Sequence, residues 1–134
     1  MTYTVKEKSV EGTELDIHCP KGGFRSLRML MADAEMGFSV HKTMIPKGKP
    51  QTWHYKHHQE ACYCIEGDGV LTEVETGAVF RIKPGTMYVL EDNMKHTFQA
   101  LEDTVLISIF NPPCTGTEVH GEDGSYLPAT DMVA

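Results

Sequence analysis

The stretch Trp53-His54-Tyr55-Lys56-His57-His58-Gln59-Glu60, followed after six further residues by Gly67, decides how this chain is read. Glu60 enters a run of β-formers that ends at a glycine turn, so one carboxylate stands at the mouth of a strand. A second segment answers it: Pro84-Gly85, a short apolar run, and His96 eleven positions after the glycine. Adjacent strands of a small barrel would aim Glu60 and His96 at one point inside its mouth, and the two segments together are specific where either alone is weak. Strand alternation adds neighbours. Glu60, Cys62 and Cys64 share one face, as do Tyr88 and Leu90, and Leu106, Ser108 and Phe110. With Glu60 facing the cavity, the two cysteines line it or sit just below it.

Outward from these segments the pattern is all-β. Runs rich in valine, isoleucine, tyrosine and phenylalanine predict strands near 26–32, 37–45, 51–54, 60–66, 70–75, 78–82, 87–90, 96–100 and 104–110. Turns are predicted at 46–50, at Gly67-Asp68-Gly69, Thr76-Gly77 and Lys83-Pro84-Gly85, and at Asn111-Pro112-Pro113. A helical turn over 31–36 is stopped by Gly37, and the polar, glycine-bearing stretch 115–134 reads as a lid or tail. Many short strands in one chain of 134 residues predict a single-domain barrel or jelly roll spanning 1–134. The net charge of −7, without clustered lysine or arginine, argues against nucleic acid or an anionic membrane as partner. No run reaches membrane-spanning length, and residues 1–10 lack the layout of a secretory signal, so the expected location is the cytoplasm. Cys19, Cys62, Cys64 and Cys114 do not form a zinc pattern and are read as reduced, packed thiols.

The two segments resemble the paired metal motifs of the cupin superfamily. The histidine pair expected ahead of Glu60 is reduced here: of Trp53, His54, Tyr55 and Lys56, where it would fall, only His54 is a histidine. A plain two-histidine, one-carboxylate iron site is therefore not expected, and another donor is needed. Tyr88 is a candidate, because a bound cation can hold as phenolate a group whose pKa is about 10 in water. His54, His57 and His58 are expected mostly at the surface or outside the ligand set.

A closer resemblance covers positions 24–128. Met36-Gly37-Phe38-Ser39, His54-Tyr55-Lys56-His57-His58, Glu60-Ala61, Tyr63-Cys64-Ile65-Glu66-Gly67, Ile82-Lys83-Pro84-Gly85, Phe110-Asn111-Pro112-Pro113, Thr115-Gly116, Glu118-Val119-His120 and Glu122-Asp123-Gly124 are similar to ectoine synthases. The resemblance implies a dimeric cupin that cyclises N-γ-acetyl-2,4-diaminobutyrate with loss of water, a hydro-lyase making a compatible solute for osmotic stress. It implies ferrous iron, with another divalent metal as the alternative, on Glu60, Tyr88 and His96. It places Arg28, Thr43, Tyr55, Phe110, Glu118 and His120 around the substrate. Phe24 stands where the family has a tryptophan and Ser108 where it has a cysteine; both count as substrate-binding positions. Trp53, Gln59 and Asn93-Met94-Lys95 are atypical.

The chemistry implied assigns roles. Arg28 pairs with the substrate carboxylate, Tyr55 and Thr43 orient it, Glu118 or His120 moves protons, and Phe110 keeps water out. A homodimer is expected from the resemblance and from the edge strands an open sheet leaves. Rival readings are a cupin that hydrolyses or cyclises a related N-acyl amino acid, a cupin dioxygenase, and a non-catalytic sensory cupin.

Overall fold

A computed structural model of the chain describes residues 2–19, 23–54, 58–91 and 94–114. After a single helical turn, α1 (Glu7–Val10), come eight strands: β1 (Asp16–Cys19), β2 (Phe24–Leu30), β3 (Ser39–Ile45), β4 (Gln51–His54), β5 (Gln59–Glu73), β6 (Val79–Ile82), β7 (Met87–Leu90) and β8 (Lys95–Asn111). Among the described residues no helix is long and apolar enough to cross a membrane.

The frame is a long antiparallel ribbon. β5 and β8 pair along their whole lengths, from Gln59↔Asn111 to Glu73↔His96. Near its middle the register shifts repeatedly between Cys64 and Gly69, and there the ribbon bends. Its two halves take different neighbours. One half is extended by β3, β2 and β1 on the β8 side and by β7 on the β5 side; the other by β4 and β6. The bent halves face each other. Phe24 of β2 meets Trp53 of β4 with ring centroids 5.3 Å apart, and Tyr88 of β7 meets Phe98 of β8 at 6.3 Å. Buried Leu71, Ile82, Phe98, Leu106 and Phe110 fill the space between.

The bend explains where the strand prediction fails. Runs 60–66 and 70–75 are one strand, as are 96–100 and 104–110, because Gly67-Asp68-Gly69 makes a bulge and not a reversal. Gly67 has φ +98°, and a Cβ there would lie 2.5 Å from the Asp103 carbonyl oxygen and the Thr104 Cα. At Gly69 a Cβ would meet the Phe98 ring at 2.5 Å. Glycine is used where one limb of the ribbon crosses close over the other. The predicted helical turn is a 3₁₀ turn, Ala32–Ala34, ended by left-handed Glu35 rather than by Gly37. β1 and α1 were not predicted. β1 is held in part by Asp16, whose carboxylate accepts from Arg25 Nε at 2.9 Å and Nη2 at 2.8 Å.

Candidate active site

Alternation along the ribbon puts Glu60, Cys62 and Cys64 on its inner face. β7 places Tyr88 directly across from Cys62, and β8 places Ser108 across from Cys62 on the other side. Glu60, Cys62, Tyr88, Ser108 and, from β3, Thr43 line one cavity whose remaining walls are Phe24, Ile45, Trp53, Leu106 and Phe110; Cys64 lies outside it. The polar floor is connected: the Cys62 thiol donates to Ser108 Oγ at 3.3 Å, and Ser108 Oγ lies 2.9 Å from Thr43 Oγ1. A larger hollow, bordered by His18, Arg25, Met44 and Asp103, shares Phe24 and Ile45 with this cavity and contains none of the predicted metal donors.

Burial dominates the acid–base character of the floor. It pushes the Glu60 carboxyl up to about 8, partly offset by the neighbouring Cys62 thiol, which favours the charged form. Burial raises the Tyr88 phenol well above its usual value, and neighbouring Cys62 and Glu60 add to the rise. Burial lowers His96 to about 4, opposed by the Met94 carbonyl, which lies 3.5 Å from Nδ1. An Nδ1–H directed at Met94 leaves the lone pair on Nε2, the tautomer a metal ligand needs.

Glu60 and Tyr88 thus share the cavity. His96 faces the same interior from the opposite half, fully buried, with Trp53 stacked edge-on against it at 5.8 Å and forming the cavity wall. Among the described residues no three histidine, cysteine, aspartate or glutamate side chains converge on one point, and none forms a salt bridge with Glu60. The donor set nonetheless fits a divalent ion. Carboxyl, phenol and imidazole are all buried and inward-facing, and acid groups packed together without a described counter-charge suit a cation.

Phe24, Thr43, Ser108 and Phe110 all line the cavity. The two atypical positions have informative neighbours. Phe24 packs on Trp53, so an indole still reaches this wall, and Ser108 holds the Cys62 thiol, so sulfur does too. Arg28 is wholly buried but lies off this cavity, next to His41 across the β2–β3 pair. Tyr55, Glu118 and His120, and the predicted lid 115–134, lie outside the described residues. His58 is buried; its Nδ1 lies 2.8 Å from the Pro112 carbonyl, and its ring packs against Phe110.

Sequence reading missed His41. It is fully buried, its ring 4.9 Å from that of Phe110, with Nε2 3.1 Å from Ser39 Oγ. Ser39 Oγ also accepts the Cys114 amide at 2.9 Å, so its hydroxyl proton is available to His41. Burial first, then Arg28 and His58, keep His41 neutral. The available signal was alternation: Ser39, His41 and Thr43 fall on one face of a strand whose Thr43 was already assigned inward.

Fold and cavity together define a small cupin with a buried acidic floor. KdgF from a Halomonas species shares the fold alone, with TM-score 0.66 and 17% identity over 82% of this chain and 94% of that one. The chain belongs to the ectoine synthase family, whose model matches residues 2–130. It is 44% identical to L-ectoine synthase of Marinomonas sp. (strain MWYL1) over 116 residues, 87% of this chain and 90% of the relative. Against that of Nocardia farcinica it is 43% identical over 117 residues, 87% and 88% of the two chains. The crystal structure of ectoine synthase from P. lautus superposes with TM-score 0.83 at 36% identity, covering 99% of this chain and 96% of that one. The chain is accordingly a lyase of the hydro-lyase type.

Proposed function

We propose that the cavity folds N-γ-acetyl-2,4-diaminobutyrate and closes it to ectoine around a divalent metal on Glu60, Tyr88 and His96. The observation that carries the residue assignment is the buried carboxyl–phenol pair on adjacent strands, facing one cavity with apolar walls. Ferrous iron is the proposed ion. When bound it supplies Lewis acidity and a fixed template.

The reaction joins the free α-amine to the acetamide carbon, forms one C–N bond and releases the carbonyl oxygen as water. Most of the acceleration asked of the protein is proximity: holding amine and carbonyl in one folded conformer. The hydroxyl pair Thr43–Ser108 orients polar atoms of the substrate, whereas the carboxylate-pairing role of Arg28, which lies off the cavity, rests on the family resemblance alone. Phe24, Ile45, Trp53, Leu106 and Phe110 make a dry wall, which favours a step that expels water. Tyr55, Glu118 and His120 are assigned the remaining orienting and proton-moving roles on the family resemblance.

A cytoplasmic homodimer is part of the proposal. The outer face over β5, β7 and β8 exposes Tyr63, Ile65, Met87, Val89 and Ile109, an apolar surface of the kind a second copy covers. An anaerobic assay with ferrous iron, following the cyclic product by chromatography, tests the activity. Conversion by the protein and its loss in His96→Ala are expected. A folded, metal-loaded protein that makes no product would refute the substrate assignment and favour a related N-acyl amino acid.

A further inference from the structure

The cavity over the floor is too small for the molecule it is proposed to hold. Its free volume is about 10 Å³, room for about one water. Sites that take small molecules run to about 300 Å³ and more. The neighbouring hollow has about 500 Å³. Phe24, which opens β2, and Ile45, which closes β3, belong to the walls of both spaces and separate them.

The hollow has the make-up of a passage. Its rim residues His18, Pro46 and Asp103 are exposed, and apolar Met44 and Val105 line it beside Phe24 and Ile45. Arg25 is engaged by Asp16 through bonds of 2.9 and 2.8 Å, and Asp103 by the Lys47 amide at 2.9 Å. Neither charge is free to hold an amino-acid ligand there. Other approaches among the described residues are poorer. Phe110 is fully buried, with the His41 ring packed against it at 4.9 Å. A further recess meets the cavity only at Glu60, and its Val89 and Ile109 belong to the face that a second copy is proposed to cover.

Of the two shared walls, Phe24 is the movable one. Its ring rests edge-on against Trp53, centroids 5.3 Å apart, with no room to turn into on the cavity side and the hollow behind it. Rotation about its side-chain bonds toward the hollow joins the two spaces. Ile45 is β-branched and stiffer.

We propose that the hollow is the entrance to the active cavity and that Phe24 is its door, swinging off Trp53 to admit the substrate. The inference rests on the function proposed above and adds the route by which that substrate arrives. The entrance touches the ligand only in transit, so obstructing it slows entry and exit alike and leaves the equilibrium affinity in place.

The test plugs the hollow and watches the cavity. Trp53 is the one tryptophan of the chain and lines the cavity, so its emission should change when ectoine enters and Phe24 leaves it. Met44→Cys puts a thiol in the hollow but not in the cavity; Val105→Cys, also lining the hollow, serves if the first does not fold. The thiol is capped with methyl and then benzyl methanethiosulfonate, with wild type treated alike as control, and stopped-flow fluorescence follows ectoine binding and release. The benzyl cap should slow both rates by about tenfold or more with Kd within about twofold, and the methyl cap less. A reductant should restore both rates. Phe24→Ala should bind ectoine about tenfold faster than wild type or more. Unchanged rates in the capped protein overturn the entrance and leave the proposed function standing. A rise in Kd carried by faster release also overturns it, by making the hollow part of the binding site. Association no faster in Phe24→Ala, or saturating ectoine that leaves Trp53 emission unchanged in a protein that makes product, overturns the door. Folded protein that neither responds to ectoine nor makes product overturns the entrance and the proposed function together.

Discussion

Glutamine in place of Glu60 should flatten the pH dependence of the metal-free protein's stability. Burial holds this carboxyl protonated in the folded chain up to about 8, while in the unfolded chain it releases its proton near the ordinary glutamate value of 4.5. The folded state therefore binds the extra proton between these values. Its stabilising contribution is complete below the unfolded value and is lost as pH rises through the folded one. Each unit of difference corresponds to about 1.4 kcal/mol; integrated from pH 6 to 8, the loss is about 2 kcal/mol. In urea that moves the midpoint by roughly 1 M for a domain of this size. The assay is urea unfolding with a chelator at pH 6, 7 and 8. Wild type should weaken steadily across the series, whereas Glu60→Gln should show a much smaller slope, whatever its absolute stability. A metal restores the opposite trend, because it binds the deprotonated carboxylate and gains affinity as pH rises. Equal slopes in the two proteins would refute the assignment of Glu60 as a desolvated acid.

Two further predictions concern the frame of the site. Gly67→Ala places a Cβ 2.5 Å from backbone atoms at φ +98°, so backbone strain and overpacking add; unfolding free energy should fall by about 3 kcal/mol or more in urea titration. Ser39→Ala removes the acceptor of the buried Cys114 amide and a hydrogen-bond partner of His41; a loss of about 1–3 kcal/mol is expected by the same measurement.

The legible parts of the fold and the opaque ones have different physical origins. Alternation around Glu60, Tyr88 and Ser108 placed all three on inward faces, because a two-residue period survives whatever the strand's partners are. Gly67-Asp68-Gly69 misled because a bulge and a turn ask for the same residues; only the close crossing of Thr104 and Phe98 distinguishes them. β1, with four residues, is too short to show a period, and Asp16 belongs there through Arg25 on the next strand. His41 was hidden because a histidine between Val40 and Lys42 carries no local mark of burial. Its setting comes from Ser39, Phe110 and Arg28, which lie on three different strands.

The bent ribbon also sets an order of assembly. Glu73 and His96 pair across 23 positions of chain, whereas Glu60 and Phe110 pair across 50. Doubling the span of a loop adds only about 0.6 kcal/mol of closure entropy, but zipping from the near end makes each later pair a local addition. Growth in that direction runs from His96 through the glycine crossing to Glu60, Cys62 and Ser108. The cavity floor is then the last part of the ribbon to close, and a chain emerging from the ribosome has no floor until Phe110 is free to pair.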